Sequence, residues 1–215
     1  MSFVHLHNHS HYSLLDGLSK IKPMVSHAKE LGFTALALTD KGNMYGVIEF
    51  FQACKGADIK PIIGEQVYVA PNLHTQKRPN TDDQNNELIL IARTFEGYKN
   101  LMRLSSIAYK DGYFHKPRID KDLLRDYAEG LLALASGSRG EIGKAILDSN
   151  FDKAKEVVAQ YQDIFGKEFF YLEVQHNPGD SKQQVVNEGM FQLADDLRIR
   201  VAATSNIHYL EKEMA

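Results

Sequence analysis

The sequence predicts an α/β domain built on seven strands, as a parallel barrel or a doubly wound sheet. Three observations carry this: seven short apolar runs recur along the 215 residues, helix-patterned stretches separate most of them, and polar residues suited to chemistry fall where the runs end.

Phe3 to His7 opens the chain as a strand, and histidines stand at every second position, His5, His7, His9 and His11. Alternate side chains of an extended strand share one face, so His5 and His7 can present two imidazoles toward one point, as a divalent metal requires. An expression tag would be a homogeneous run, which this is not. Ser19 can cap a helix that Pro23 fits in its first turn and Gly32 ends. Ala35–Leu38 is a second strand, closed by Thr39 and Asp40. Tyr45–Ala57 has helical spacing, with Val47, Ile48, Phe50 and Phe51 forming a core-facing stripe. Ile59–Val69 is a third strand region, interrupted at Gly64 and Glu65, and Leu88–Ile91 is a fourth strand followed by a helix over Tyr98–Tyr109. Leu131–Ala135, Phe169–Val174 and Ile199–Ala203 complete the strands, with helices at Glu141–Leu147, Phe151–Phe165 and Val185–Leu197 between them. Pro71–Asn86 is polar and aperiodic, a mobile surface excursion, and Tyr113–Asp120 is an ordered loop.

The chain is 43% hydrophobic and 25% charged, the proportions of a folded globular protein. A net charge of −3 gives no electrostatic drive toward nucleic acid or membrane, so contact with DNA is expected only indirectly. The single cysteine, Cys54, has no internal partner for a disulfide, and no apolar leader or membrane span is present, which suits the cytoplasm.

In a parallel barrel, chemistry collects at the C-terminal strand ends. His5 and His7 end the first strand, Asp40 follows the second, Glu65 interrupts the third, and Asn206 and His208 follow the last. Gly137–Gly140 resembles an anion-cradling turn between strand and helix but lacks the spacing of a nucleotide motif.

The ordered stretches His5-Leu6-His7-Asn8-His9-Ser10, Leu14-Leu15-Asp16-Gly17, Thr39-Asp40-Lys41-Gly42-Asn43, Ile63-Gly64-Glu65 and Ser205-Asn206-Ile207-His208 resemble the motifs of the polymerase-and-histidinol-phosphatase (PHP) family. Glu96-Gly97-Tyr98-Lys99-Asn100-Leu101, Pro117-Arg118-Ile119-Asp120 and Val186-Asn187-Glu188-Gly189 resemble the variant carried by alpha subunits of bacterial replicative DNA polymerase III. The resemblance implies a distorted seven-stranded (β/α)7 barrel, TIM-like, whose cleft holds three metals and hydrolyses phosphate esters. It also implies that residues 1–215 form a single PHP domain, an N-terminal portion of a much longer polymerase that could not polymerise DNA alone.

Carried over position by position, the resemblance places the first metal on His5, His7, Glu65 and Asn206, with an asparagine where the family has an aspartate. The second falls on Glu65, Glu87 and Gly137, the last of which cannot ligate. The third falls on Asp16, Lys41 and His208. Lysine is a cation without an acceptor, so Lys41 is expected to replace a metal, pairing with Asp16 or Asp40, while His9 supports the site from behind. No residue is assigned a catalytic role, and one divalent ion at most (zinc, manganese or magnesium) is expected.

The favoured function is structural: a degenerate metal cleft that stabilises the remainder of the polymerase alpha chain and docks the proofreading exonuclease subunit, as the family's domain does. The alternatives are a residual metal-dependent phosphoesterase or 3′–5′ exonuclease, and a free-standing enzyme similar to histidinol phosphatase.

Overall fold

The computed structural model describes residues 3–177 and 179–211. Its elements run α1 (Ile21–Glu30), β1 (Ala35–Leu38), α2 (Val47–Gly56), β2 (Lys60–Val69), β3 (Asn86–Ala92), α3 (Phe95–Lys110), β4 (Arg118–Ile119), α4 (Lys121–Tyr127), β5 (Leu131–Ala135), α5 (Glu141–Leu147), α6 (Phe151–Phe165), β6 (Phe170–Gln175), α7 (Ser181–Leu197) and β7 (Val201–Thr204). One curled sheet has the order β1-β2-β3-β5-β6-β7, with β4 pairing β2 off that path.

The sheet departs from the all-parallel expectation at one strand. The connection from β2 to β3 contains no helix, so β3 returns antiparallel to both β2 and β5, whereas the β1–β2, β5–β6 and β6–β7 pairs, joined through helices, are parallel. The C-terminal ends of β1, β2, β5, β6 and β7 therefore meet at one rim, and β3 brings its first residues to the same rim. The site is built there.

The opening segment is not a ladder strand. It is extended and wedged between β1 and the chain after β7: Ala37 N donates to His5 O (3.1 Å), Thr39 N to Asn8 O (2.9 Å), Ile207 N to His7 O (3.0 Å) and His9 N to Ile207 O (2.8 Å). The buried Asn8 amide adds two bonds, to His5 O and Ala37 O, both 2.9 Å. These contacts join the two ends of the sheet.

Gly64 does not interrupt the third strand; β2 is continuous. A Cβ there would lie 2.5 Å from Leu90 O and 2.8 Å from Thr39 Cγ2, so glycine admits close approach of neighbouring strands. The alternating faces of the sheet then pack two ways. Ile62, Ile89, Ile91, Leu134 and Tyr171 fill the inside with Leu6, while Val67, Val69, Leu88, Leu90 and Leu172 pack outward against helices. The α2 stripe splits: Val47 and Phe50 are buried, but Ile48 and Phe51 are exposed.

The Tyr113–Asp120 stretch contains β4, and α4 follows it, started by Asp120 accepting from Leu123 N. Residues 71–85 are anchored to this region by Arg118, which is fully buried and donates to Gly112 O (3.0 Å), Asp82 O (2.5 Å), His74 O (2.8 Å) and Gln76 O (2.7 Å).

Candidate functional site

At the rim, His7 is 1% exposed, and both its ring nitrogens are engaged. Nδ1 donates to Glu173 Oε1 at 2.7 Å, and Nε2 meets Gln66 Oε1 at 2.8 Å. Glu173 also accepts from Thr204 Oγ1 (2.6 Å), Gln175 Nε2 (2.9 Å) and Gly137 N (3.1 Å), so one buried carboxylate collects donors from four segments. Burial alone would push the His7 imidazole down, but the Glu173 charge and hydrogen bond, with help from Gln66, raise it. Burial likewise pushes Glu173 up, and His7 and the other donors bring it below the usual carboxylate range. Both shifts favour an imidazolium on a carboxylate.

A second network holds the 10–13 turn. Asp40, 1% exposed, accepts from Ser10 N (2.6 Å), Ser10 Oγ (2.8 Å) and Ser13 Oγ (2.7 Å). Burial raises its carboxyl and the serine bonds oppose that. Asp40 is thus committed to the turn, and Lys41 pairs with Asp16 instead, Nζ on Oδ2. His208 Nδ1 donates to Asp16 O at 3.1 Å. Burial tends to raise Asp16, but the Lys41 ammonium holds it below the usual range.

His9 lies between the two networks. Its Nε2 is 3.0 Å from Asn206 Oδ1, and its ring stacks on His208 at 4.5 Å between centroids. Burial lowers both imidazoles, and neighbouring cations lower them further, so both are neutral at neutral pH. Glu87 comes to the rim from β3, with Arg139 3.7 Å away. A cavity of about 580 Å³ opens beside Lys41 and Asp16, walled by Tyr45, Tyr68, Tyr109 and Tyr113.

Two expected ligands lie elsewhere. His5 sits on the outside, edge-on to Phe3 (4.7 Å) and Phe33 (5.2 Å), because the opening segment does not keep regular strand alternation. Glu65 shares the outward face of β2 with Val67 and Val69, where Ser105 Oγ of α3 donates to it at 3.2 Å and burial pushes its carboxyl up to about 8. With β2 continuous, strand alternation turns Gln66 into the cleft in its place. His9 stands in the cleft rather than behind it.

Glu173 and Gln66 were not singled out from the sequence. The available signal was an acid flanked by Leu172 and Val174 in an otherwise buried strand, since such a group needs a charged partner.

The donor set does not fit the family's metal cluster. Both His7 nitrogens are engaged, the Asp16 carboxylate carries the Lys41 ammonium, Gln66 and Asn206 offer neutral amides, and Glu65 faces away. Among the described residues no three histidine, cysteine, aspartate or glutamate side chains converge as a ligand set.

Comparison with known proteins agrees with this architecture. Residues 5–177 match the PHP domain model. The chain is 41% identical over 214 residues to DNA polymerase III subunit alpha of Borreliella burgdorferi, covering 99% of the chain and 18% of that protein. It is 42% identical to the Treponema pallidum subunit at the same coverage. It therefore spans less than a fifth of the length of these relatives. Among solved structures, a protein described as a metal-dependent phosphoesterase from Bifidobacterium adolescentis superposes with a TM-score of 0.59 at 13% identity, covering 97% of this chain and 88% of that one. An amidohydrolase from Chromobacterium violaceum superposes with 0.58 at 14% identity, covering 95% and 87%. These two likenesses concern the fold. From the matched residues, the curled sheet and the rim of polar side chains, the chain belongs to the PHP domain family.

Proposed function

We propose that this chain is the PHP portion of a bacterial replicative DNA polymerase alpha subunit, acting in DNA replication in the cytoplasm as architecture rather than as a catalyst. The observation that carries this is His7, whose two ring nitrogens serve Glu173 and Gln66 and so tie the opening segment to β6 and β2. Hydrolysis of a phosphate ester by a metal site needs a polarised phosphoryl oxygen and an activated water, commonly between two ions; here the side chains that would hold those ions bond one another. Similarity to alpha subunits far longer than this chain supports the polymerase over the free-standing phosphatase. No helix of the described residues is long and apolar enough to cross a membrane.

Docking of the proofreading exonuclease subunit belongs to the same proposal. It is supported by an exposed apolar surface in which Tyr45, Ile48 and Phe51 follow one another at three-residue spacing, Tyr109 adjoins Tyr45 and Tyr113 adjoins Tyr109.

The second reading, a residual metal-dependent phosphoesterase or exonuclease, is favoured by one observation: His9 and His208 are neutral and adjacent, the ligand-competent state of imidazole. Assays of the 215-residue chain on a phosphodiester and on single-stranded DNA ends, with manganese or zinc, separate the two. Architecture predicts turnover equal to that of a His9→Ala control. Turnover that the substitution abolishes would establish the enzyme.

A further inference from the structure

We propose that the Lys41 ammonium is a built-in substitute for a divalent cation: it cross-links the segments around the cleft mouth and, by its charge, keeps metal out. This rests on the architectural reading above, and to the replacement of a metal by Lys41 it adds the exclusion of one.

Lysine after a strand normally extends into water, yet the Lys41 side chain is only 9% exposed. Its backbone is fixed on both sides, by Lys41 N donating to Ser13 Oγ (3.1 Å) and by a bridge to Gln66 of β2. The ammonium sits on Asp16, whose backbone oxygen accepts from His208, while Leu18 N returns a bond to His208 O at 2.9 Å. One cation thus links the end of β1 to the 13–18 turn, which is itself bonded to the loop after β7 through His208. The end of β1 and the 13–18 turn are far apart in sequence and are joined here by side chains, Ser13 Oγ and the Lys41–Asp16 pair, so a point charge at their junction does the work of a bound ion.

The same charge acts on any incoming metal. The His9 and His208 rings lie close enough to Lys41 to feel it, and a divalent ion placed among Asp16, His9 and His208 would meet a like charge in a partly desolvated setting, where repulsion is several-fold stronger than in water. Removing the ammonium should both loosen the mouth and open it to metal.

The test compares untagged wild type, Lys41→Arg, Lys41→Met and Lys41→His by thermal melting with EDTA, manganese or zinc, and by zinc titration. Wild type and Lys41→Arg should melt identically in chelator and in metal. Lys41→Met should melt lower. Lys41→His should bind zinc at least about tenfold more tightly than wild type, equivalent to about 1.4 kcal/mol, and lose that gain when combined with His208→Ala. If Lys41→Met does not fold, the zinc titration of Lys41→His decides. Wild type binding zinc as tightly as Lys41→His, or falling in melting temperature with EDTA, would overturn the proposal. Metal uptake by wild type without turnover would defeat this inference alone, whereas phosphodiester turnover would defeat the architectural reading beneath it.

Discussion

Replacing Glu173 with alanine should destabilise the chain by about 3–5 kcal/mol, because it strands the buried His7 imidazolium and leaves three further donors unpaired. For a domain of this size that is a fall of roughly 10 °C in melting temperature. The conservative Glu173→Gln keeps the shape but turns an amino group toward some of those donors, so it should also destabilise, and with a pH signature. Glu173 is held below its ordinary 4.5, so its contribution is present above that pH and is lost as pH falls through its folded value. His7 is held above its ordinary 6.5, so its contribution is complete below that pH and fades as pH rises through its folded value. The wild-type advantage over Glu173→Gln should therefore be greatest between pH 4.5 and 6.5. Denaturant unfolding at pH 3, 5.5 and 9 measures it, and a difference that does not vary with pH would mean the pair is not ionic. Glu65, raised to about 8 by burial, adds a decline of the same sign as His7 that runs from its ordinary 4.5 up to about pH 8, in both proteins alike.

Arg118→Met should cost a comparable amount, about 3–5 kcal/mol, through a different mechanism. Arg118 is 0% exposed, and its side-chain donors go to four backbone carbonyls, those of Gly112, Asp82, His74 and Gln76. Methionine fills much of the volume but leaves those carbonyls buried and unpaired, at about 1–3 kcal/mol each if they stay dry. Part of that cost can be relieved by letting residues 71–85 move into water. The expected outcome is a lower melting temperature together with new proteolytic cleavage between residues 71 and 86, read by mass spectrometry. A variant that melts lower with that segment still protected would place the anchor elsewhere.

How much of this was visible in the sequence varies with what each residue needs. Polar residues clustered at strand ends announced the rim, and His7, Asp16, Lys41, Glu87, Asn206 and His208 all lie there. That Lys41 pairs with an acid was legible from the family resemblance, which puts a cation and acids around one metal position; the choice of Asp16 over Asp40 was not, because it depends on Ser10 and Ser13 occupying Asp40. The phase of β2 was not: treating Gly64 as a break removes the alternation that separates Glu65 from Gln66, and the close approach of Leu90 and Thr39 that makes glycine necessary is a tertiary fact. Strand direction was hidden for the same reason, since the apolar run Leu88–Ile91 reads alike in either orientation. His5 misled because alternation assumes a regular strand, and the opening segment takes its hydrogen bonds from β1 on one side and from the chain after β7 on the other.

The most direct test is the metal content of the 215-residue chain purified without chelator or an affinity metal, measured by elemental analysis alongside its melting temperature before and after EDTA. A cleft closed by Lys41–Asp16 and His7–Glu173 predicts far less than one equivalent of zinc, manganese or iron per chain and an unchanged melting temperature. One or more equivalents, removed by EDTA with loss of stability and absent from His9→Ala, would show that a metal, and not these pairs, holds the rim together.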